Sequence, residues 1–580
     1  MIRYRLDVDG PEALHAHQFR VTLTVPAPAA EQRLELPVWI PGSYLVREFA
    51  RHLSGLEARQ GDRGVPLEQL DKAGWLARCR GRGALTVSWR VYANDNSVRA
   101  AWLDARRGFF NGTSLFLRVV GREAEPHRLE LGPLPRGWEV ATALRAVGPR
   151  RYEAADYDEL ADHPVELGRF WRGRFEARGV PHEFVVAGAL SSFDGERLLA
   201  DAQRICETQI AFWAGRRKPH FDRYVFLLNA VDEGYGGLEH RASTALIANR
   251  RDLPRRGAAP NGEGYTTLLG LISHEYFHTW NVKRLRPAEF ARYDYGRENY
   301  TELLWFFEGF TSYYDDLLLR RCGLLDDAKY LKLVAKTLNQ VLGTPGRKLQ
   351  SVAQASFDAW VKYYRPDENT VNATVSYYTK GALVALLLDL TLRREGQGQG
   401  EHTLDAVMRG LWARSAGGPV GEDDIAAVLE QVGGRAYAQE LAAWVHGTGE
   451  LPLRDALATF GVHWGEDKPT LAQRFGARLA DNGGQLKLQS VLRGGAAERA
   501  GLSAGDELVA LDGWRLKRVD DLALLGATER PLPLLAARDQ RLLELTLPAT
   551  RAEGAVSLAV DPQADAAARA RREAWLGGKQ

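Results

Sequence analysis

His274 and His278 bracket Glu275 in the run His274-Glu275-Tyr276-Phe277-His278, and on a helix that spacing is what metal-dependent cleavage of an amide requires. Positions i and i+4 share one helical face with β-carbons roughly 5–6 Å apart, so two imidazoles can converge on one ion. Catalytic zinc takes three protein ligands and keeps a further position for water. Glu275, projecting beside the imidazoles, is the residue that would collect the water's proton. Leu268, Leu271 and Ile272 give the preceding turns an apolar face, and Pro287 forbids continuation beyond the motif.

A third ligand is expected from the run Thr301 to Asp316, which reads as a second helix capped by Thr301. Its one acid within the apolar stretch is Glu308, set among Trp305, Phe306, Phe307 and Phe310. A carboxylate in such company is costly to bury unless it is paired or bound to a metal. Ser312 and Asp315 fall four and seven residues later, on the same face, where either could accept the free N–H of a ligating histidine. Two further elements carry chemistry. Gly236-Gly237-Leu238-Glu239-His240 follows the strand-like run Tyr224 to Leu228, and glycines there let a substrate backbone approach an edge strand. Glu239 would then hold a free α-ammonium. Tyr377-Tyr378-Thr379-Lys380-Gly381 precedes a Leu-rich helix, and a phenol aimed at a scissile carbonyl stabilises the oxyanion that develops on it. From the residues alone either tyrosine could serve.

The combination of Gly-Gly-x-Glu-His, the HExxH run continued by Thr279-Trp280-Asn281-Val282-Lys283-Arg284-Leu285-Arg286-Pro287, the Glu308-Gly309-Phe310-Thr311-Ser312-Tyr313-Tyr314 segment and the Tyr-x-Lys-Gly tyrosine resembles the glycyl aminopeptidase family, a gluzincin branch that carries a PDZ domain. The resemblance covers essentially the whole chain. It implies one zinc ion per chain held by His274, His278 and Glu308, with Glu275 as general base and Tyr378 as transition-state donor. It also implies Glu239 as anchor of the substrate N-terminus, with Gly236 and Gly237 beside it, and a preference for N-terminal glycine or alanine. The Gly-x-Met-Glu-Asn motif of better-known aminopeptidases of the clan stands here as Gly-Gly-Leu-Glu-His.

These residues need several domains to position them. A chain of 580 residues exceeds one compact core. Period-2 alternation in Phe19-Val21-Leu23-Val25, Leu34-Leu36-Val38-Ile40 and Leu85-Val87-Trp89-Val91 marks a β-rich N-terminal domain over 1–168, expected to border the cleft without doing chemistry. Residues 169–325 hold the strands and the two metal-binding helices, a thermolysin-like domain by the resemblance. Residues 326–462 read as helix almost throughout, interrupted by the flexible connection Gln397-Gly398-Gln399-Gly400. Ala500-Gly501-Leu502-Ser503-Ala504-Gly505-Asp506 within 463–552 resembles a PDZ signature, so a peptide C-terminus is a candidate partner there, although the usual glycine-hydrophobic-glycine-Phe carboxylate loop is not evident and Phe475-Gly476-Ala477-Arg478 is either its counterpart or unrelated to it. Residues 553–580 read as a solvated helical tail. The fold class expected is multidomain α+β.

Composition limits the function classes. With 45% hydrophobic and 26% charged residues the chain is an ordinary globular protein, and a net charge of +2 gives no electrostatic case for nucleic acid or a membrane surface. The apolar run from Gly381 to Leu388 is too short to span a bilayer. Three scattered cysteines, Cys79, Cys206 and Cys322, argue against a disulfide framework. The N-terminus lacks a basic start followed by an apolar core, so the expected compartment is the cytoplasm. Two readings of other kinds stand beside the aminopeptidase: a PDZ-bearing peptide-binding or chaperone-like protein with a vestigial peptidase fold, and a zinc endopeptidase.

Overall fold

A computed structural model describes residues 1–258, 262–396, 401–481, 483–525, 530–549, 552 and 554–577. The connection at 397–400 lies outside the described residues. Two compact units result: Met1–Tyr300 with Ser415–Pro419, and Thr301–Arg414 with Val420–Lys579.

The first unit begins with an eight-stranded sheet in which Ile2–Asp7 lies parallel to His127–Leu131 and antiparallel to Gln18–Val25. Alternation decides its faces: Phe19, Val21, Leu23 and Val25 are fully buried, while the residues between them are half-buried. The strand expected over Leu34 to Ile40 is shorter, Glu31–Glu35, because Pro37 has no N–H to donate to a ladder. Two four-stranded sheets complete this β-rich part.

A fourth sheet of the same unit, five-stranded, carries the motif segments. Its strands are β1 (Trp171–Ala177), β2 (Val180–Ala187), β3 (Tyr224–Val231), β4 (Gly236–Glu239) and β5 (Ser243–Asn249). They run in the order β1-β2-β3-β5-β4, with β2, β3 and β5 parallel and β4 antiparallel to β5 at the edge. Strand β3 is buried nearly throughout, as the continuous run Tyr-Val-Phe-Leu-Leu requires of a central parallel strand. Helices α1 (Gly195–Ala214) and α2 (Glu263–Phe277) belong with this sheet. They are held together by Gln209 Nε2, which donates to the Ser273 carbonyl at 2.8 Å.

The second unit is helical at first. The single helix expected from Thr301 is divided: α3 (Leu304–Phe307) and α4 (Gly309–Arg321) meet at Glu308. Thr301 caps a turn, its hydroxyl accepting from the Leu303 N–H at 3.2 Å, and the helix starts later. Helix α5 spans Asp327–Leu342, and α6 spans Tyr377–Glu395, capped by Ser376. Gly309 and Gly381 let α4 and α6 touch backbone to backbone: a β-carbon on Gly309 would stand 2.6 Å from Gly381 Cα. The segment Thr370–Glu395 is long and apolar enough to cross a membrane, but 83% of its most apolar window is buried inside the fold, as expected of a core helix.

Residues beyond 470 build an antiparallel sheet ordered Ala477–Asp481, Leu486–Val491, Glu507–Leu511, Leu532–Arg538, Arg541–Leu547, over a core that includes Phe475, Leu488, Leu508 and Leu522. The C-terminal helix α7 (Ala566–Gly577) is not a solvated tail. Trp575 is fully buried and donates to Tyr313 Oη at 3.0 Å, and the Ala574 carbonyl accepts from Arg393. Arg393 in turn holds Asp389 at 2.9 Å, and Asp389 accepts from Tyr313 at 2.6 Å. An Ala/Arg-rich segment hides this because its buried face has only two large apolar residues, Trp575 and Leu576, beside Ala568 and Arg572.

Candidate active site

Helix α2 delivers the histidine pair. His274 Nε2 and His278 Nε2 stand 3.0 Å apart, close to the separation of about 3.3 Å that two metal–nitrogen bonds of about 2.05 Å subtend at a tetrahedral centre. The Asn281 carbonyl accepts from His278 Nδ1 at 2.7 Å, which commits the proton to that nitrogen and leaves Nε2 with its lone pair outward. The helix ends at Phe277, and the chain then turns back, so this carbonyl comes from the loop just beyond the motif. Neither Ser312 nor Asp315 is needed for His278, and the local i to i+3 contact was legible only after the helix end was known.

Edge strand β4 supplies the opposing wall. His240 N–H donates to the Ser243 carbonyl at 2.9 Å across the turn to β5. By the alternation of an antiparallel pair, Leu238 and Gly236 then direct their backbone groups at β5, while Gly237 and Glu239 direct theirs outward. Side chains alternate as well, so positions 237 and 239 share a face. That face meets α2: a β-carbon at 237 would overlap the Glu275 carboxylate, which explains glycine there. Glu239, two residues on, is buried, and its ligand oxygen, that of Glu275 and a ring nitrogen of His278 all lie within 4.8 Å of one another.

Glu239 is packed against Gly42, and the residues that follow it in sequence are tied to Asp162. Gly42, at φ +90°, lies against it so closely that a β-carbon there would stand 2.5 Å from Oε1 and 2.6 Å from Oε2. Behind it, Asp162 receives Lys283 Nζ at 2.7 Å, the Arg241 N–H at 2.9 Å and His240 Nδ1 at 3.3 Å. Burial pushes the Asp162 carboxyl up, but Lys283, His240 and Arg241 outweigh it and hold it well below the usual carboxylate range. Burial works against the Lys283 ammonium, and Asp162 more than compensates, so that its pKa is raised. Burial lowers His240, with Asp162 opposing. Among the described residues the Glu239 carboxylate accepts no hydrogen bond, although the polar groups behind it are paired. Gly42, Asp162 and Lys283 carry no local signature of this role, because their partners lie far away in sequence.

Glu308 and Tyr378 belong to the second unit. The Gly309–Gly381 contact brings the α3–α4 junction beside the start of α6. Burial raises the Tyr378 phenol well above its usual value, and the Glu308 charge adds to the shift. Tyr378 Oη lies 3.2 Å from Tyr364 Oη. Tyr377 is fully buried and stacks on Tyr378 with ring centroids 4.8 Å apart, whereas Tyr378 keeps some exposure.

The donor set fits a divalent ion: two convergent imidazole nitrogens, one with its tautomer fixed, beside buried carboxylates.

Residues 267–384 match the model of the M61 glycyl aminopeptidase family, and residues 3–169 match that of the peptidase M61 N-terminal domain. Among solved structures, an aminopeptidase N family protein from Idiomarina loihiensis is 37% identical, with 99% of this chain and 100% of that one covered and a TM-score of 0.92. An M1 zinc metallopeptidase from Deinococcus radiodurans, bound to Tyr-Ser-Ala, is 16% identical over 78% of this chain and 94% of its own, with a TM-score of 0.47. An aminopeptidase A from Legionella pneumophila is 13% identical over 97% of this chain and 57% of its own, with a TM-score of 0.45. The last two lie below the likeness at which fold or function transfers. No curated protein sequence matches the chain.

Proposed function

Since the chain belongs to the M61 glycyl aminopeptidase family and is a metallo-aminopeptidase hydrolase by that membership, we propose that it removes N-terminal glycine or alanine from peptides with a free amine, using one zinc ion held by His274, His278 and Glu308. The observation that carries this reading is the convergence of Glu239, Glu275 and His278 behind a glycine edge strand.

Zinc, when bound, supplies Lewis acidity toward the scissile carbonyl and acidifies water. The chain's own residues do the rest. Glu239 binds the α-ammonium and thereby sets the scissile bond one residue from the chain end. The outward backbone groups of Glu239 and the outward N–H of Gly237 are placed to pair with the extended substrate. Glu275 takes the proton from the attacking water and returns it to the leaving amine. Tyr378 donates a hydrogen bond to the oxyanion, its phenol being protonated at neutral pH as an ordinary tyrosine is. The outcome that tests this is hydrolysis of alanine p-nitroanilide but not of its N-acetyl derivative, with loss of the activity in Glu275→Gln. Equal turnover of both substrates would sink the aminopeptidase reading in favour of an endopeptidase.

The same reading extends to organisation. We propose the divisions 1–168, 169–325, 326–462 and 463–552, the first supported by the match of the family's N-terminal model to residues 3–169. The sheet over 477–547 is proposed as a PDZ domain, supported by Gly476 at φ +71° leading directly into the edge strand Ala477–Asp481, where a peptide C-terminus could add. A cytoplasmic location is proposed on three cysteines that form no disulfide.

A further inference from the structure

Arg99 stands beside the same edge strand, on a loop of the N-terminal β-rich part. Its NH2 group donates to the Gly237 carbonyl at 3.3 Å, one of the outward backbone groups of β4. Its Nε is buried and has no hydrogen-bond partner among the described residues. Among the described residues Arg99 forms no ion pair, in contrast to Arg107, whose guanidinium grips Glu166 through two bonds of 2.7 and 2.8 Å. The loop is rigid at this point: Asn111, itself fully buried, donates to the carbonyls of Val98 and Ala100 on either side, at 2.9 and 3.3 Å. A half-buried guanidinium fixed by its backbone and lacking an anion is built to receive one.

The strand also measures the distance. Gly237 lies two residues from Glu239, about 6.8 Å along an antiparallel strand. A substrate whose ammonium meets Glu239 and which pairs antiparallel to β4 runs toward Gly237, so its second residue arrives at Arg99. An extended dipeptide spans about the same length. We propose that Arg99 binds the C-terminal carboxylate of short substrates, so that Glu239 and Arg99 together select dipeptides and, with some slack in the guanidinium, tripeptides. This rests on Glu239 holding the substrate amine.

The test compares Ala-Ala with its C-terminal amide, Ala-Ala-NH2, on the full-length protein, with alanine p-nitroanilide as a control for the underlying activity. For the wild type, kcat/KM should favour the free carboxylate by about tenfold or more, mainly through KM, as a charge-assisted hydrogen bond gives. In Arg99→Gln that ratio should collapse to near one, and Arg99→Lys should recover part of it. A wild-type ratio near one, or a ratio unchanged in Arg99→Gln, overturns the proposal. So does an equal loss on both substrates, which is the mark of a merely structural role. If the wild type turns over alanine p-nitroanilide yet ignores the carboxylate, only this inference fails. If it turns over no free-amine substrate, the aminopeptidase reading fails and takes this one with it.

Discussion

Gly237→Ala is the substitution that most directly probes how strand and helix share the site. The added methyl would stand 2.5 Å from Glu275 Cγ and closer still to its carboxylate. Carbon atoms normally approach to about 3.5–4.0 Å, so the Glu275 side chain or the strand must give way by about 1 Å. A misplacement of that size at a reacting group costs about 10²-fold in rate, which corresponds to about 2.7 kcal/mol of transition-state stabilisation. Steady-state kinetics on alanine p-nitroanilide should therefore show kcat reduced about a hundredfold. The thermal midpoint should change little, because the clash can be relieved by one side chain at the cleft. A double-mutant cycle sharpens the reading: in a Glu275→Gln background the alanine should add little further loss, since the group it displaces no longer works as a base. Full kcat in a folded Gly237→Ala protein would refute the placement of Glu275 against β4. Additive losses in the cycle would show that the glycine acts elsewhere.

Other outcomes follow from the same geometry. Glu239→Ala should abolish cleavage of unblocked peptides while leaving cleavage of N-acetylated ones at its low starting level, measured by mass spectrometry of the products; parallel loss on both would remove Glu239 from amine recognition. Burial holds His127 and His182 at about 4 instead of the ordinary 6.5. Their folded-state pKa values are depressed, so the unfolded chain binds more protons between pH 6.5 and 4, and stability is lost as pH falls through that window, by roughly 3 kcal/mol for each at most. Urea unfolding at pH 7 and pH 4.5 should show this, and His127→Leu, at a ring whose nitrogens have no partner among the described residues, should flatten the dependence. Trp575→Ala should destabilise the second unit by about 3–5 kcal/mol, read from its unfolding midpoint. A loss below about 1 kcal/mol would mean that α7 is an appendage after all.

Legibility in the sequence followed the range of the interactions. The strands with clean alternation, such as Phe19 to Val25, and the helices from Asp327, Tyr377 and Glu422 were readable because their periodicity is local. The motif residues were readable because fixed spacing on a helix or strand is itself the chemistry. Glu308 was identified, but the break it occupies was not, since that break depends on Gly309 meeting Gly381 seventy-two residues away. The surroundings of Glu239 were invisible for the same reason: Gly42 reaches it, and Asp162 reaches the adjacent His240, only through the tertiary fold, as Arg99 reaches Gly237. In the C-terminal helix, two apolar residues among alanines and arginines gave too weak a stripe to predict that Trp575 would be sealed against Tyr313.

The central claim, a zinc-dependent aminopeptidase with Glu275 as base, is tested most directly by measuring metal content and turnover in one preparation. Freshly purified wild type should carry about one zinc per chain and hydrolyse alanine p-nitroanilide but not its acetylated form. Glu275→Gln should retain the zinc and lose the activity. Turnover that survives complete removal of the metal, or full activity in Glu275→Gln, would contradict the account.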